Sequence, residues 1–208
     1  MEKTGFTPSD FDVFTIDGLE NRMEALREQI QPKFKEIGDE LTAELNRLTG
    51  EDMHLHIAKH LRRTTNPPND SWLAVAPNKR GYKKLPHFQL GLFDDHLFIW
   101  LAYIYELPNK SEIGQAFLNE IEELKSLPGD FAISTDHTKK SAEKLQDLDE
   151  EALRAKIERF RDVKKGEFLI GLQLNRGDAR VENYERLKET AITTYETLLP
   201  LYRHSLNI

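Results

Sequence analysis

The chain is 208 residues long, carries 29 Lys and Arg against 36 Asp and Glu for a net charge of −7, and has no cysteine. That length suits one sizeable domain with a self-sufficient core, and the lack of cysteine removes disulfides, zinc ribbons, thiol catalysis and iron–sulfur clusters together. The acidic balance argues against a dedicated duplex-DNA binder. The first residues lack the apolar stretch of a secretory signal, and the longest apolar run, Leu97 to Tyr105, falls far short of the roughly 20 residues that span a bilayer. A soluble, cytoplasmic protein without membrane contact is expected.

Along the chain, Thr7-Pro8-Ser9-Asp10 predicts a helix start, with Thr7 as cap, Pro8 at the first helical position and Asp10 reaching back to the free amides. This helix ends near Phe14. From Asp17, the residues Leu19, Met23, Leu26, Ile30, Phe34, Ile37, Leu41 and Leu45 recur at steps of three and four and predict a long amphipathic helix. Pro32 removes a backbone donor inside it and predicts a kink or break.

The period then changes. Met53, Leu55, Ile57 and Leu61 are interleaved with His54, His56 and His60, a half-buried strand over 53–61. "TTNPPND" is a loop, followed by a strand at 72–76. Strands at 87–93 and 97–105 are joined by Asp94-Asp95-His96, a hairpin signal. The second is apolar on both faces and should be central and covered on both sides. A helix is expected over 111–125, a strand over 131–135, a helix around Leu153, Ile157, Phe160 and Val163, and a strand over 168–175. A last helix starts near Asp178, its final turns disturbed by Pro200. Strands gathered in the middle with helices at both ends point to an α+β class in one domain over 1–208, without repeats or linkers.

Few motifs carry chemistry. His54 and His56 would lie about 6.6 Å apart on one strand face, and His60 about 20 Å from His54. An H-x-H pair without a fixed third ligand (His87, His96, His137 or a carboxylate would have to supply it) reads as the polar face of an ordinary strand. Neither a metal nor a cofactor is expected. "STDH" at 134–137 lacks the G-x-S-x-G elbow that exposes a nucleophilic serine, and "RGD" at 176–178 reads as a strand-to-helix turn capped by Asp178.

The basic segment says more. Between 62 and 84, Arg62, Arg63, Lys79, Arg80, Lys83 and Lys84 face only Asp70, with Trp72 and Tyr82 among them. Arginine pairs with phosphate or carboxylate in a bidentate fork, and aromatic rings offer stacking surfaces. If the strands bearing the two groups of bases are neighbours, the bases meet at one sheet edge. In "HFQLGLF" and "FLIGLQLN", His87, Gln89 and Gly91 share one strand face, as do Gly171, Gln173 and Asn175. Glycine inside a strand marks close approach of a backbone or a ligand.

Taken together, "GFTPSDFDVF", "GLENRMEALREQIQPKF", "RRTTNPPNDSW" and "RGYKKLPHFQLGL" resemble the YktB-like family of uncharacterised bacterial proteins, in the same order and over essentially the whole chain. The resemblance implies an α+β fold with a largely antiparallel sheet. It implies no activity, and no site residues follow from it.

The expected architecture is therefore α+β: a largely antiparallel sheet of about five or six strands packed with N-terminal, middle and C-terminal helices. The expected function is binding of an anionic, phosphate-bearing small molecule beside the basic loop. Arg62, Arg63, Lys79, Arg80, Lys83 and Lys84 would neutralise charge, Trp72 and Tyr82 would stack, and His87 with Gln89 would give specific hydrogen bonds. Single-stranded nucleic acid is the second expectation, and a structural or regulatory domain meeting an acidic protein partner the third.

Overall fold

Asp10 reaches back to the Thr7 amide at 2.7 Å and opens helix α1 (Pro8–Asp12), which runs into a 3-10 turn at Val13–Thr15. The computed structural model describes residues 3–208. Helix α2 (Leu19–Ala25) continues without interruption into α3 (Gln31–Thr49) through a π-helical stretch, Leu26–Ile30. Pro32 explains the widened stretch. It has no N–H for the carbonyl one turn earlier, so the helix loosens just before it instead of breaking. Leu26, Ile30, Phe34, Ile37, Leu41 and Leu45 remain on one buried stripe.

The strands are β1 (His54–Ile57), β2 (Ser71–Ala76), β3 (His87–Leu92), β4 (His96–Tyr103), β5 (Ala132–Ser134), β6 (Glu143–Lys144) and β7 (Phe168–Asn175). They form one sheet in the order β1-β2-β3-β4-β7-β5-β6, every pairing antiparallel. Strand β4 is the middle strand and is buried along its whole length, as its two-sided apolar pattern predicts. The short strand β6 takes the sheet beyond the expected number. Its two residues are exposed, so no apolar pattern marks them.

Between and after the strands lie α4 (Lys110–Asn119), α5 (Ile121–Lys125), α6 (Glu150–Asp162), α7 (Ala179–Glu182) and α8 (Tyr184–Leu206). The helix expected over 111–125 is interrupted at Glu120, which leaves helical geometry. The last helix departs from expectation too. It restarts at Asn183, whose side chain accepts from the Arg186 amide at 3.0 Å, and it passes through Pro200 to Leu206. Burial of Leu198, Leu199, Tyr202 and Ser205 around Pro200 outweighs the missing donor. Asp178 caps α7 by accepting from the Arg180 amide, so the RGD tripeptide is a strand-to-helix turn.

Alternation divides the sheet into two unlike faces. Leu55, Leu73, Val75, Phe88, Leu90, Ile99, Leu101 and Ile170 face the helices and join a core that extends from Phe6 to Tyr202. The registers His56↔Ala74↔Gln89↔Trp100↔Gly171 and Trp72↔Gly91↔Phe98↔Gln173 define the second face. It carries a smaller apolar cluster of Phe93, Phe98, Trp100, Ala102, Ile104, Ala132 and Leu169, in which no helical residue takes part. The strand glycines serve packing here. A Cβ on Gly171 would lie 2.0 Å from the Ile99 carbonyl oxygen, and one on Gly91 would meet the Phe98 ring at 2.4 Å.

Leu26 on the N-terminal helical run and Leu187 on α8 are both fully buried. Replacing either with Ala should cost about 2–5 kcal/mol, the range for deleting a buried Leu side chain. Chemical denaturation measures this, and losses below about 0.5 kcal/mol at both positions would contradict the packing described.

Candidate functional site

Three loops, 58–70, 77–86 and 135–142, cover the second face of the sheet in place of helices. The first leaves β1 early. Ala58 still donates to Trp72 O at 2.9 Å, but His60 turns at a φ of +51° and the Arg63 amide closes onto His60 O. The predicted strand over 53–61 therefore stops at Ile57, and His60 is not in line with His54 and His56. The buried guanidinium of Arg22 fixes the far end of this loop by donating to Pro68 O and Ile16 O, each at 2.9 Å. His54 and His56 share a face but not a partner: His54 Nε2 lies 3.4 Å from Asp52, and His56 Nε2 donates to Asn78 O at 2.7 Å.

Two adjoining cavities open between the first two loops. The larger, about 710 Å³, is lined by Lys59, Asn78, Arg80, Tyr82, Lys83 and Lys84 among others. The smaller, about 430 Å³, is lined by Arg62, Arg63, Trp72, Tyr82 and Lys83 with His60. Lys59, Tyr82, Lys83 and Glu106 belong to both. The two groups of bases predicted to converge thus meet around a shared wall, joined by Lys59, which the sequence reading passed over. Lys79 lines neither cavity and stands exposed on the turn. Among the described residues the one carboxylate paired with any of these cations is Glu106, 3.4 Å from Lys83.

Below this wall the aromatic and amide groups are locked together. Trp72 Nε1 donates to the Tyr82 hydroxyl at 2.9 Å, and the Tyr82 ring packs on His87 and His56 with centroids 4.8 and 5.3 Å away. His87 is fully buried, and its Nδ1 contacts Leu85 O at 2.8 Å. A carbonyl accepts only, so Nδ1 carries the proton and Nε2 accepts from the Gln89 amide at 2.8 Å. Burial holds His87 down at about 4. Both of its nitrogens are used internally. His87 and Gln89 support Tyr82 from beneath and line neither cavity.

Four titratable residues outside the expected site, Asp70, Asp136, His137 and Glu167, lie on the side of this wall where Trp72 meets His137. Asp136 fixes the third loop by accepting from the Thr138 amide and hydroxyl at 3.0 and 2.6 Å. That turn presents His137 to Glu167, the residue before β7. Glu167 accepts from the His137 amide at 2.8 Å and from its Nδ1 at 2.8 and 2.9 Å. It also holds the Tyr105 amide at 3.4 Å, next to the cavity residue Glu106. The His137 ring meets the Trp72 ring edge-on at 6.3 Å. Burial disfavours its charged form, but the hydrogen bond and charge of Glu167 outweigh this and raise its pKa. Asp70 is 7% exposed, and burial pushes its carboxyl up to about 6 against the pull of His137 and Arg63. Asp136, His137 and Glu167 each offer a ligand atom within 4.8 Å of the others, but Asp136 and Glu167 are engaged by the protons just named. The signals in sequence were slight: Asp70 is the lone acid of a basic run, and His137 lies in a tetrapeptide that is no triad.

Asp70 makes stability depend on pH. Its folded value of about 6 lies above the ordinary 3.8, so its contribution is complete below about pH 3.8 and is lost as the pH rises through about 6. Asp70→Asn, which cannot ionise, should therefore stabilise the protein by up to ~3 kcal/mol at about pH 8, at roughly 1.4 kcal/mol per tenfold change in proton affinity. Near pH ~3 it should change nothing. His60 and His87, both depressed to about 4 by burial, act in the opposite direction in variant and parent alike. Denaturant titrations of both proteins at each pH isolate Asp70, and an equal effect at the two pH values would refute the buried-charge account.

Residues 6–202 match the family model of a domain of unknown function, DUF1054. A UPF0637 protein of Shouchella clausii is 60% identical over 209 residues, covering 99% of this chain and 97% of its own. One from Oceanobacillus iheyensis is 55% identical over 96% of this chain and 95% of its own, and one from Listeria monocytogenes is 48% identical over 99% and 100%. With a family model spanning nearly the whole chain and relatives matched end to end, this protein belongs to the DUF1054, or YktB-like UPF0637, family of uncharacterised bacterial proteins.

Proposed function

We propose that the joined cavities bind a phosphate-bearing small molecule. The observation that carries this reading is the charge of their walls. Lys59, Arg62, Arg63, Arg80, Lys83 and Lys84 surround a concavity that holds one carboxylate, Glu106, in a chain whose net charge is −7. Several cations elsewhere are neutralised in place, as where Lys188 lies 3.0 Å from Glu40 and Lys140 lies between Asp94 and Asp95. Cations left without counterions around a hollow lose repulsion when an anion enters, and Arg80, Arg62 and Arg63 offer forked donors to its oxygens.

The volumes favour a small molecule over a strand of nucleic acid. Both fall within the few hundred to about 1,000 Å³ usual for small-ligand sites. Trp72 and Tyr82 are bonded to each other and flanked by histidines, which suits a rigid wall better than a row of stacking platforms. In this reading Tyr82 and Trp72 bound the ligand, His87 and Gln89 hold Tyr82 in place, and Lys79 contributes long-range attraction only.

Isothermal titration with inorganic phosphate and pyrophosphate tests the proposal. Binding should weaken as salt rises from about 50 to about 300 mM, because shorter Debye lengths screen the walls. Arg80→Gln with Lys83→Gln should weaken it at least about tenfold, since a charge-assisted hydrogen bond contributes about 1.5–3 kcal/mol, with the melting profile retained. Unchanged affinity in the double variant would refute the site. Tighter binding of a single-stranded oligonucleotide than of pyrophosphate, lost in the same variant, would replace the small molecule with nucleic acid.

A further inference from the structure

The turn that leaves β4 runs beside the loop that enters β3, because His87 pairs with Ala102 at that end of the sheet. Ile104 and Leu107 are buried, and the Leu107 amide donates to Ile104 O at 3.0 Å, which holds the turn in place. Glu106, between them, meets Lys83 at 3.4 Å and lines both cavities. Around it the bases divide. Arg80 and Lys84 belong to the larger cavity alone, Arg62 and Arg63 to the smaller alone, and Lys59 and Lys83 to both. The hollow is thus two cationic lobes with a carboxylate at the wall they share. Tyr82 stands on the same wall. Its oxygen accepts from Trp72 Nε1, so its own proton is left to donate.

We propose that the ligand of the joined cavities is a bisphosphorylated polyol, with one phosphate in each lobe and its hydroxyl-bearing middle across the shared wall. This rests on the anion-binding reading above and names the class of molecule bound. A single phosphate would occupy one lobe and leave the bases of the other without a counterion. A chain of continuous negative charge would have to pass Glu106, like charge against like charge. A ligand charged at both ends and neutral between them avoids that repulsion. Hydroxyl groups suit the middle, because each can donate to Glu106 and accept from Tyr82, Lys59 or Lys83. An apolar spacer would strip water from Glu106 and return no hydrogen bond.

The types of base agree with this division. Each lobe has a guanidinium of its own to grip phosphate oxygens in a fork, Arg80 in one and Arg62 with Arg63 in the other. Arg63 gives one N–H to Asn66 O at 3.3 Å and keeps the rest. The shared wall has ammonium groups, point charges on flexible stems that can turn to either side. The Tyr82 ring packs on His56 and His87, which fixes the wall and with it the spacing of the lobes. Once one phosphate is seated, a spacer of matching length holds the second at high effective concentration beside its own lobe.

Isothermal titration of the intact chain tests the proposal with inorganic phosphate, pyrophosphate, fructose monophosphate, fructose bisphosphate phosphorylated at both terminal carbons, and hexanediol bisphosphate, which has a similar span and no hydroxyls. Fructose bisphosphate should bind once per chain and at least about 100-fold more tightly than the monophosphate. Hexanediol bisphosphate should bind about tenfold less tightly than fructose bisphosphate. Arg62→Gln with Arg63→Gln, or Arg80→Gln with Lys84→Gln, should each bring fructose bisphosphate down to about the affinity of the monophosphate, because one lobe remains. Glu106→Ala should erase the preference for hydroxyls. These side chains are exposed or half-buried, so the melting profiles should not move, and the comparison of ligands on the unaltered chain decides the matter if one does. Binding of the monophosphate with no gain for either bisphosphate would overturn the two lobes and leave the anion site standing, whereas no binding of any probe would overturn both. Tighter binding of pyrophosphate than of fructose bisphosphate would put both phosphates in one lobe and overturn the division. Equal affinities for the two bisphosphates would overturn the polyol and with it the role of Glu106.

Discussion

Each strand of the sheet has to satisfy two different neighbours at once, and the two-residue alternation of the backbone is what permits it. One face supplies Leu73, Val75, Phe88, Leu90, Ile99 and Leu101 to the helices. The other presents His56, His87, Gln89, Trp100 and Gln173 to loops. A slip of one residue in any register would bury the polar set under the helices and expose the apolar one. The core therefore fixes the register, and the register fixes which polar groups stand on the loop-covered face. The site inherits its geometry from the core beneath it.

That inheritance runs through local hydrogen bonds that leave little freedom. His87 ties Gln89 to the Leu85 carbonyl and supports Tyr82. Further along the same face His96 and Gln173 make a comparable pair, with Gln173 also holding Lys140 O at 2.9 Å. Histidine and glutamine on a strand face are here the means by which loops without regular structure are attached to a sheet. The basic side chains of the first two loops take no part in these attachments.

What was legible in the sequence is what depends on near neighbours. The Thr7 cap, the helical stripe through Leu45, the two-sided apolar run of β4 and the cluster of bases each follow from spacing within a few residues. What was missed depends on contacts far apart in the chain. Strand β1 ends early because His60 turns toward Ser71, 3.1 Å from its hydroxyl, and not because of its own alternation. Glu167 meets His137 across thirty positions, and nothing near either residue announces the other. Pro200 was weighed by its missing donor alone, whereas the buried surface around it decides the outcome. Lys59 was passed over because a single base beside a histidine-bearing strand carries no pattern.

Arg22 gives the molecule a mechanical property. Its guanidinium joins the carbonyl of Ile16, ahead of the long N-terminal helical run, to that of Pro68, two residues before Asp70. Gln31, where that run passes its π-helical stretch, reaches Ala58 O at the other end of the same loop. The loop carrying Arg62 and Arg63 is thus suspended at both ends from a single helical rod. A force applied to those arginines is transmitted to the rod at two points that flank its one irregular stretch, so the widened turn is where the structure can yield. The loop that carries the cations and the helical run on the opposite side of the sheet thus share two anchor points, one on either side of the π-helical stretch.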